Sequence, residues 1–243
     1  MVRHLANDLI DRFVAEELAR QCELQSAARF LDIGCGDLRY RRYTEFAGWY
    51  RVFGDFAPRA AGISIQFDAH QLPFQTDCFD VVLMTEVLEH LSEPRQALAD
   101  IARVVRKGGT FVFTVPFLWG LHEVPYDFFR YTEFGLSKML SEAGFQIVYF
   151  QRRANLVGVV MVYFGMIVGG IVEAIRRIGW LAPVGWLLGR IVDGISSVLI
   201  WLYLLAFYRS ISVRHRSVGE GLDGLVGSLA RQHLGYNVVC EKI

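Results

Sequence analysis

A short run that can only be buried, followed at once by two glycines one residue apart, constrains this chain more than any other feature. Arg29-Phe30-Leu31-Asp32-Ile33 shows no helical period and leads into Gly34-Cys35-Gly36. A brief apolar run ending in glycine reads as a buried strand. Glycine at its end permits a tight turn in which main-chain N–H groups approach a ligand. Strand, glycine turn and helix make a nucleotide-binding layout. Two acids sharpen it. Asp32 stands two residues before Gly34, where it can hold an amino group directly or through water. Asp55 ends the next strand, about 20 residues on, where an acid accepts both ribose hydroxyls. A dinucleotide fingerprint requires a third glycine at position 39, and Arg39 occupies it, which argues against NAD.

The rest of the first 150 residues repeats the alternation. Val2 to about Gln21 places Leu5, Leu9, Phe13 and Leu18 roughly on one helical face. Strands are expected at Tyr50–Phe53, Ile63–Phe67, Phe79–Met84, Thr110–Val115 (stopped by Pro116) and Phe145–Phe150. Amphipathic helices are expected over Glu93–Arg106 and Thr132–Ala143, the first closed by Lys107-Gly108-Gly109 and the second by Gly144. Helices alternating with apolar strands predict a parallel α/β sheet covered on both faces. Tyr236-Asn237-Val238-Val239-Cys240 supplies a last strand, and Ser210 to about Leu234 reads as a polar loop with a short helix.

Six segments stand in a recognisable order: Leu31-Asp32-Ile33-Gly34-Cys35-Gly36; Asp55; Asp68-Ala69-His70-Gln71-Leu72-Pro73-Phe74; Phe79-Asp80-Val81-Val82; Glu86-Val87-Leu88-Glu89-His90-Leu91; and Arg103-Val104-Val105-Arg106-Lys107-Gly108-Gly109. Over residues 28–151 this order and spacing resemble class I methyltransferases, particularly the large bacterial group whose first motif reads LDIGCG. The resemblance implies a Rossmann-like, seven-stranded methyltransferase sheet and S-adenosyl-L-methionine as cofactor. It implies that Gly34, Cys35 and Gly36 line the methionine and ribose with Asp32, that Asp55 binds the ribose hydroxyls, that Asp68 and Ala69 flank the adenine, and that Glu86 sits beside the cofactor. One departure is visible. The stretch from Asp55 to Ile63 is too short for the helix usual there, which opens the adenine side. Cys35 reads as a packing residue, His90 as the closure of a helix turn, and His70 as a surface or adenine-loop residue.

After the fifth strand comes Phe117-Leu118-Trp119-Gly120-Leu121-His122-Glu123-Val124-Pro125-Tyr126-Asp127-Phe128-Phe129-Arg130-Tyr131. Ligands of open parallel sheets bind beyond the carboxyl ends of the strands, and this segment occupies that position. A similar H-E-x-P-Y-D-F-F-R-Y-T segment marks a subgroup of the same methyltransferases, often in enzymes of glycan or cell-envelope synthesis. Methyl transfer is a displacement on a sulfonium, so the enzyme chiefly holds the acceptor in line. A hydroxyl acceptor also gains from a general base, and histidine suits neutral pH. His122 is the expected base, with Asp127 or Glu123 orienting it. The competing reading is a structural lid tied by an Asp127–Arg130 salt bridge. HExxP is not HExxH, and no metal is expected.

About 80 residues separate the last two strands, and they are strongly apolar. Ala154–Val172 carries no charge, nor does Gly194–Tyr208, and the interrupted run Ile178–Gly189 precedes the latter. The hydrophobic fraction of 53% and mean hydropathy of +0.31 come largely from here. A span needs about 20 apolar residues, so the expected organisation is a methyltransferase domain over 1–152 and 235–243 and a membrane-associated helical insert over 153–234. A transmembrane hairpin and a re-entrant or in-plane arrangement remain alternatives, because Arg176 and Arg177 sit where a hairpin would turn. Gly165-x-x-x-Gly169 and Gly185-x-x-x-Gly189 would permit close helix packing. The N-terminus has no apolar core of a signal peptide, and four scattered cysteines suggest reduced thiols, so the catalytic domain is expected to face the cytoplasm. Balanced charge, 25 basic against 25 acidic residues, gives no footprint for nucleic acid. The expected function is methyl transfer at a membrane to a small-molecule, lipid-linked or glycan acceptor. The rivals are a non-catalytic membrane scaffold and a soluble methyltransferase with an apolar dimer interface.

Overall fold

The computed structural model describes residues 5–45, 48–58, 60–211 and 232–243. Two compact units emerge. The described part of one is 10–151 with 235–243, and of the other 5–9, 152–211 and 232–234.

The sheet unit holds seven strands: β1 (Arg29–Ile33), β2 (Tyr50–Asp55), β3 (Ile65–Gln66), β4 (Phe79–Thr85), β5 (Val105–Pro116), β6 (Phe145–Arg153) and β7 (Gly235–Lys242). Their order is β3-β2-β1-β4-β5-β7-β6. The first five pair in parallel and β7 runs antiparallel to β5, Phe113 facing Val238. Alternation along the strands feeds two cores. On β4, Val82 and Met84 join the cluster containing Ala97, Leu98 and Ile101 of α2 (Pro94–Val104) and Leu136 and Leu140 of α3 (Glu133–Glu142). Val81 and Leu83 join the other, with Ile10, Phe13, Val14 and Leu18 of α1 (Leu5–Leu24). Period-2 strands under helices of period 3.6 bury both faces. The architecture is therefore the expected Rossmann-like seven-stranded sheet, and a helical insert lies between β6 and β7 in the chain.

Several boundaries differ from the sequence expectation. Helix α2 stops at Val104 because Val105 turns extended and pairs with Phe79. Lys107-Gly108-Gly109 therefore belongs to β5, at an irregularity where the register shifts between Phe79 and Val81. The expected strand Ile63–Phe67 pairs only over Ile65–Gln66, opposite Gly54–Asp55. No helix intervenes among the described residues between Asp55 and Ile63.

In the second unit, α4 (Leu156–Arg177) and α5 (Ala182–Ile211) form a hairpin. Asn155 caps α4 through its side chain, accepting from Gly158 N at 3.1 Å. Pro183, in the first turn of α5, lacks only an N–H that would have no helical partner there. Tyr203 reaches Asn155 at one end, and Arg176 reaches the Gly185 carbonyl at the other, so the helices are antiparallel. Gly185 lets the two helices approach closely, as its spacing with Gly189 suggests, since a Cβ there would meet the Arg176 backbone. Gly185 and Gly189 make room for the Arg176 side chain, whose guanidinium lies 4.4 Å from the Trp186 ring centre, and Gly158 makes room for Tyr203. A Cβ on Gly165 would meet nothing among the described residues. The two apolar runs over 178–208 are one continuous helix from Ala182, with Arg190 and Asp193 inside it. The loop and short helix expected over Ser210–Leu234 fall mostly outside the described residues.

Candidate active site

Strand order reverses between β1 and β4, and ligands of such sheets bind in the crevice at that switch point. Beyond β1 the chain turns through Gly34 (φ 69°) and Gly36 (φ 54°), both in the left-handed region that disfavours other residues. A Cβ on Gly34 would collide with Val87, whereas one on Gly36 would enter open space. The amides of Gly34 and Cys35 donate to the Gly54 carbonyl at 2.9 and 3.1 Å, which fastens the turn to β2. Asp55, at the end of β2, accepts Gly36 N–H on Oδ2 and Ala57 N–H on Oδ1, each at 2.9 Å. Each oxygen keeps acceptor capacity, since an ionised carboxylate offers about four lone-pair sites.

Asp32 is the unusual member. It is 1% exposed, and neither carboxylate oxygen has a hydrogen-bond partner among the described residues. Burial, then the nearby charge of Asp55, pushes its carboxyl well above the usual range. A buried, unmatched carboxylate beside an open glycine turn fits a ligand that brings its own cationic donor, as the amino group of S-adenosylmethionine does. Burial, with the Asp32 and Asp55 charges, pushes the Cys35 thiol up to about 12, so it stays protonated. Glu86 holds a positive φ of 51° at the end of β4, its amide donating to the Thr114 carbonyl at 3.0 Å. Ala69 is buried. Asp68 is exposed, and its Oδ1 is engaged by the His70 amide (2.9 Å) and Nδ1 (2.6 Å).

The segment 117–131 is stapled to the short turn Leu88–His90 that follows β4. The amides of Phe128 and Phe129 donate to the Glu89 carbonyl at 2.9 and 3.3 Å, and buried Tyr131 donates its hydroxyl to the Leu88 carbonyl at 2.8 Å. Asp127, its side chain 2% exposed, takes a bidentate grip from Arg130 (2.6 and 2.8 Å). The Arg130 guanidinium holds this carboxyl well below the usual carboxylate range. Asp127 Oδ2 also accepts the His122 amide at 2.9 Å and lies 3.2 Å from its Nδ1. Of the two acids expected to orient His122, then, Asp127 reaches the imidazole. Glu123 is exposed, and its carbonyl accepts Tyr126 N–H. Two residues to which sequence reasoning gave no chemical role join this group. Glu89 is 0% exposed, and His90 places its ring 4.7 Å from that of His122. The readable signal was an adjacent Glu-His pair just past a strand's carboxyl end.

Left-handed glycines, a buried acid and a second acid facing them, at the switch point of a parallel sheet, define a Rossmann-like cofactor-binding domain. Residues 31–113, which lie within the sheet unit, match the family model described as a methyltransferase domain. A demethylmenaquinone methyltransferase of Streptomyces avermitilis is 30% identical over 126 residues, 44% of this chain and 52% of that one. The chain thus spans about half the length of this curated relative. Two solved structures share the fold. A protein assigned as a sarcosine dimethylglycine methyltransferase from Galdieria sulphuraria has a TM-score of 0.58 at 14% identity, over 96% of this chain and 84% of that one. The cyclase SpnF has a TM-score of 0.56 at 18% identity, over 94% and 79%. A cyclase on the same fold shows that the reaction must be argued from the site.

Proposed function

We propose that the protein is an S-adenosylmethionine-dependent methyltransferase that works at a membrane on an amphiphilic or lipid-linked acceptor. The single observation that carries the cofactor assignment is Asp32, a buried carboxylate without a partner among the described residues, beside the open Gly34–Gly36 turn. Bound S-adenosylmethionine supplies an electrophilic methyl group on a sulfonium. Asp32 meets the amino group, the Gly34–Gly36 turn lets the backbone approach, and Asp55 receives the ribose hydroxyls. Asp68, Ala69 and Glu86 complete the rim. On the acceptor side His122, oriented by Asp127 through Nδ1, takes the acceptor's proton at Nε2 as the methyl arrives. Asp127 stays ionised because Arg130 holds it, so its charge remains 3.2 Å from Nδ1.

The membrane part rests on the hairpin. Its apolar windows reach mean hydropathies of 2.1 and 1.6, and only 22% of each is buried. Core helices of soluble proteins are mostly buried. Here Val160, Phe164, Ile167, Ile171, Ile195 and Leu199 are open instead. At about 1.5 Å per residue, α4 is about 33 Å long, enough for a hydrocarbon core of about 30 Å. Trp180 in the turn and Trp186 early in α5 are of a residue type suited to an interface. The insert lies between β6 and β7 in the chain, so any crossings are even in number. The relative named for a quinone is consistent with an amphiphilic acceptor.

The test is transfer of tritiated methyl from S-adenosylmethionine into a cell extract, followed by solvent partition. Label in the organic phase supports the reading. Label only in the aqueous phase, from protein that salt releases without detergent, replaces it with a soluble methyltransferase whose hairpins pack on one another. Cofactor binding without transfer to any fraction replaces it with a scaffold.

A further inference from the structure

We propose that Glu89, His90 and His122 form a divalent-cation site at the acceptor side. A carboxylate oxygen and one nitrogen of each imidazole lie within 4.8 Å of one another. The way the rings are held is more telling than their proximity. His90 Nδ1 lies 2.7 Å from the Tyr126 carbonyl, so it carries the proton and leaves the Nε2 lone pair bare. His122 Nδ1 lies 3.2 Å from Asp127 Oδ2 and 3.3 Å from the Gly120 carbonyl, with the same consequence. Both bare Nε2 atoms face the same oxygen, Glu89 Oε1, at 3.6 and 3.8 Å. Those separations are too long for hydrogen bonds. They exceed by a few tenths of an ångström the edge of about 3.3 Å that metal bonds of about 2.0–2.1 Å give a tetrahedron.

Metal-binding histidines are characteristically fixed by a carbonyl or carboxylate on the other ring nitrogen. Here each has one, and the carboxylate, Asp127, is itself pinned in its charged form by Arg130. Two neutral imidazoles and one carboxylate suit zinc, manganese or ferrous iron better than magnesium, and three protein ligands leave a position for an exogenous oxygen. The three ligands come from two segments, and the Phe128 and Phe129 amides on the Glu89 carbonyl hold the loop bearing His122 in reach.

What the ion would do rests on the methyltransferase reading above; that it binds does not. An acceptor hydroxyl on the open position loses its proton to water more readily. Its oxygen then forms the O–CH3 bond as the S–CH3 bond breaks, and the sulfonium becomes a neutral thioether. His122 serves as a ligand in that state, and the ion takes over the task of the base.

The test uses detergent-purified full-length protein stripped with a chelator and titrated with Zn2+ by calorimetry and with Co2+ by absorption spectroscopy. One equivalent bound, with the visible bands of low-coordinate Co2+, is expected. His122→Ala and His90→Ala should each abolish stoichiometric binding while calorimetric S-adenosylmethionine affinity holds. Asp127→Asn, which keeps all three ligands, should weaken the metal about 10–100-fold. Absence of stoichiometric binding by the stripped wild type, or binding unchanged in both histidine variants, overturns the site. Full methyl transfer in excess chelator also overturns the ion's role and leaves the methyltransferase reading intact. Metal binding without methyl transfer supports the site while refuting that reading.

Discussion

Replacing Asp32 with asparagine should stabilise the ligand-free protein while weakening its hold on S-adenosylmethionine. The carboxylate is 1% exposed and unpartnered among the described residues. A buried polar group left unmatched costs about 1–3 kcal/mol, more when charged. Asparagine keeps the shape and removes the charge, so a gain of about 1–3 kcal/mol is expected at alkaline pH. For a protein of this size each kcal/mol moves Tm by about 2–4 °C. The direction with pH follows from the raised carboxyl. Burial first, then Asp55, favours the protonated form in the folded state. Folding therefore takes up a proton between the unfolded value of about 3.9 and the elevated folded one. Wild-type stability is full below that window, falls as pH rises through it, and is lowest above the folded pKa. The Asp32→Asn protein should lack this slope, and saturating S-adenosylmethionine should flatten it in the wild type by supplying the missing cation. Cofactor affinity should drop on the order of 10–100-fold, the worth of a hydrogen bond to a charged group. Urea unfolding from pH 5 to 9 in detergent, with and without cofactor, reads both effects. An Asp32→Asn protein less stable than wild type at pH 8, or one with an unchanged slope, would refute the argument.

Three further outcomes follow from single contacts. Gly34→Ala forces a left-handed alanine against Val87, at a strain of about 1–2 kcal/mol plus about 1–3 kcal/mol of overpacking. Adding Val87→Ala should recover the overpacking share in urea melts, and a strictly additive double variant would show that the collision is absent. Tyr131→Phe removes the 2.8 Å donor of the Leu88 carbonyl, which keeps only the Leu91 amide at 3.4 Å, and should cost about 0.5–1.5 kcal/mol, with faster amide exchange across 117–131; unchanged exchange would mean that the loop is held elsewhere. Ile167→Asp with Ile195→Asp places charges on open apolar positions of the hairpin. If those positions face lipid, each costs about 2.5–3.5 kcal/mol at a span's centre, and alkaline carbonate should release a protein that it otherwise leaves in the membrane pellet. Unaltered fractionation would count against lipid contact.

Much of this molecule is written in local pattern. Apolar runs of strand length alternating with amphipathic helices dictate a covered parallel sheet, because each element's period decides which face must be buried. Glycines at 34 and 36 announce a left-handed turn, because no other residue adopts it cheaply. Two long uncharged runs announce helices with little need of water. Tertiary structure decided what depends on partners distant in sequence. Val105 leaves α2 because Phe79 offers it a strand to pair with, which no propensity in Val104–Gly109 reveals. Gly185 and Gly189 are spaced for helix packing, but that Arg176 of the preceding helix is what they receive, backbone and side chain, is decided by the fold. His90 closes a turn, as its neighbours suggest, yet meets His122 across 32 residues only because the Glu89 carbonyl catches the amides of Phe128 and Phe129. Periodicity and glycine placement are properties of a segment and can be read from it. The direction in which a carboxylate or an imidazole lone pair points is set by hydrogen bonds to other segments, and only the folded chain supplies them.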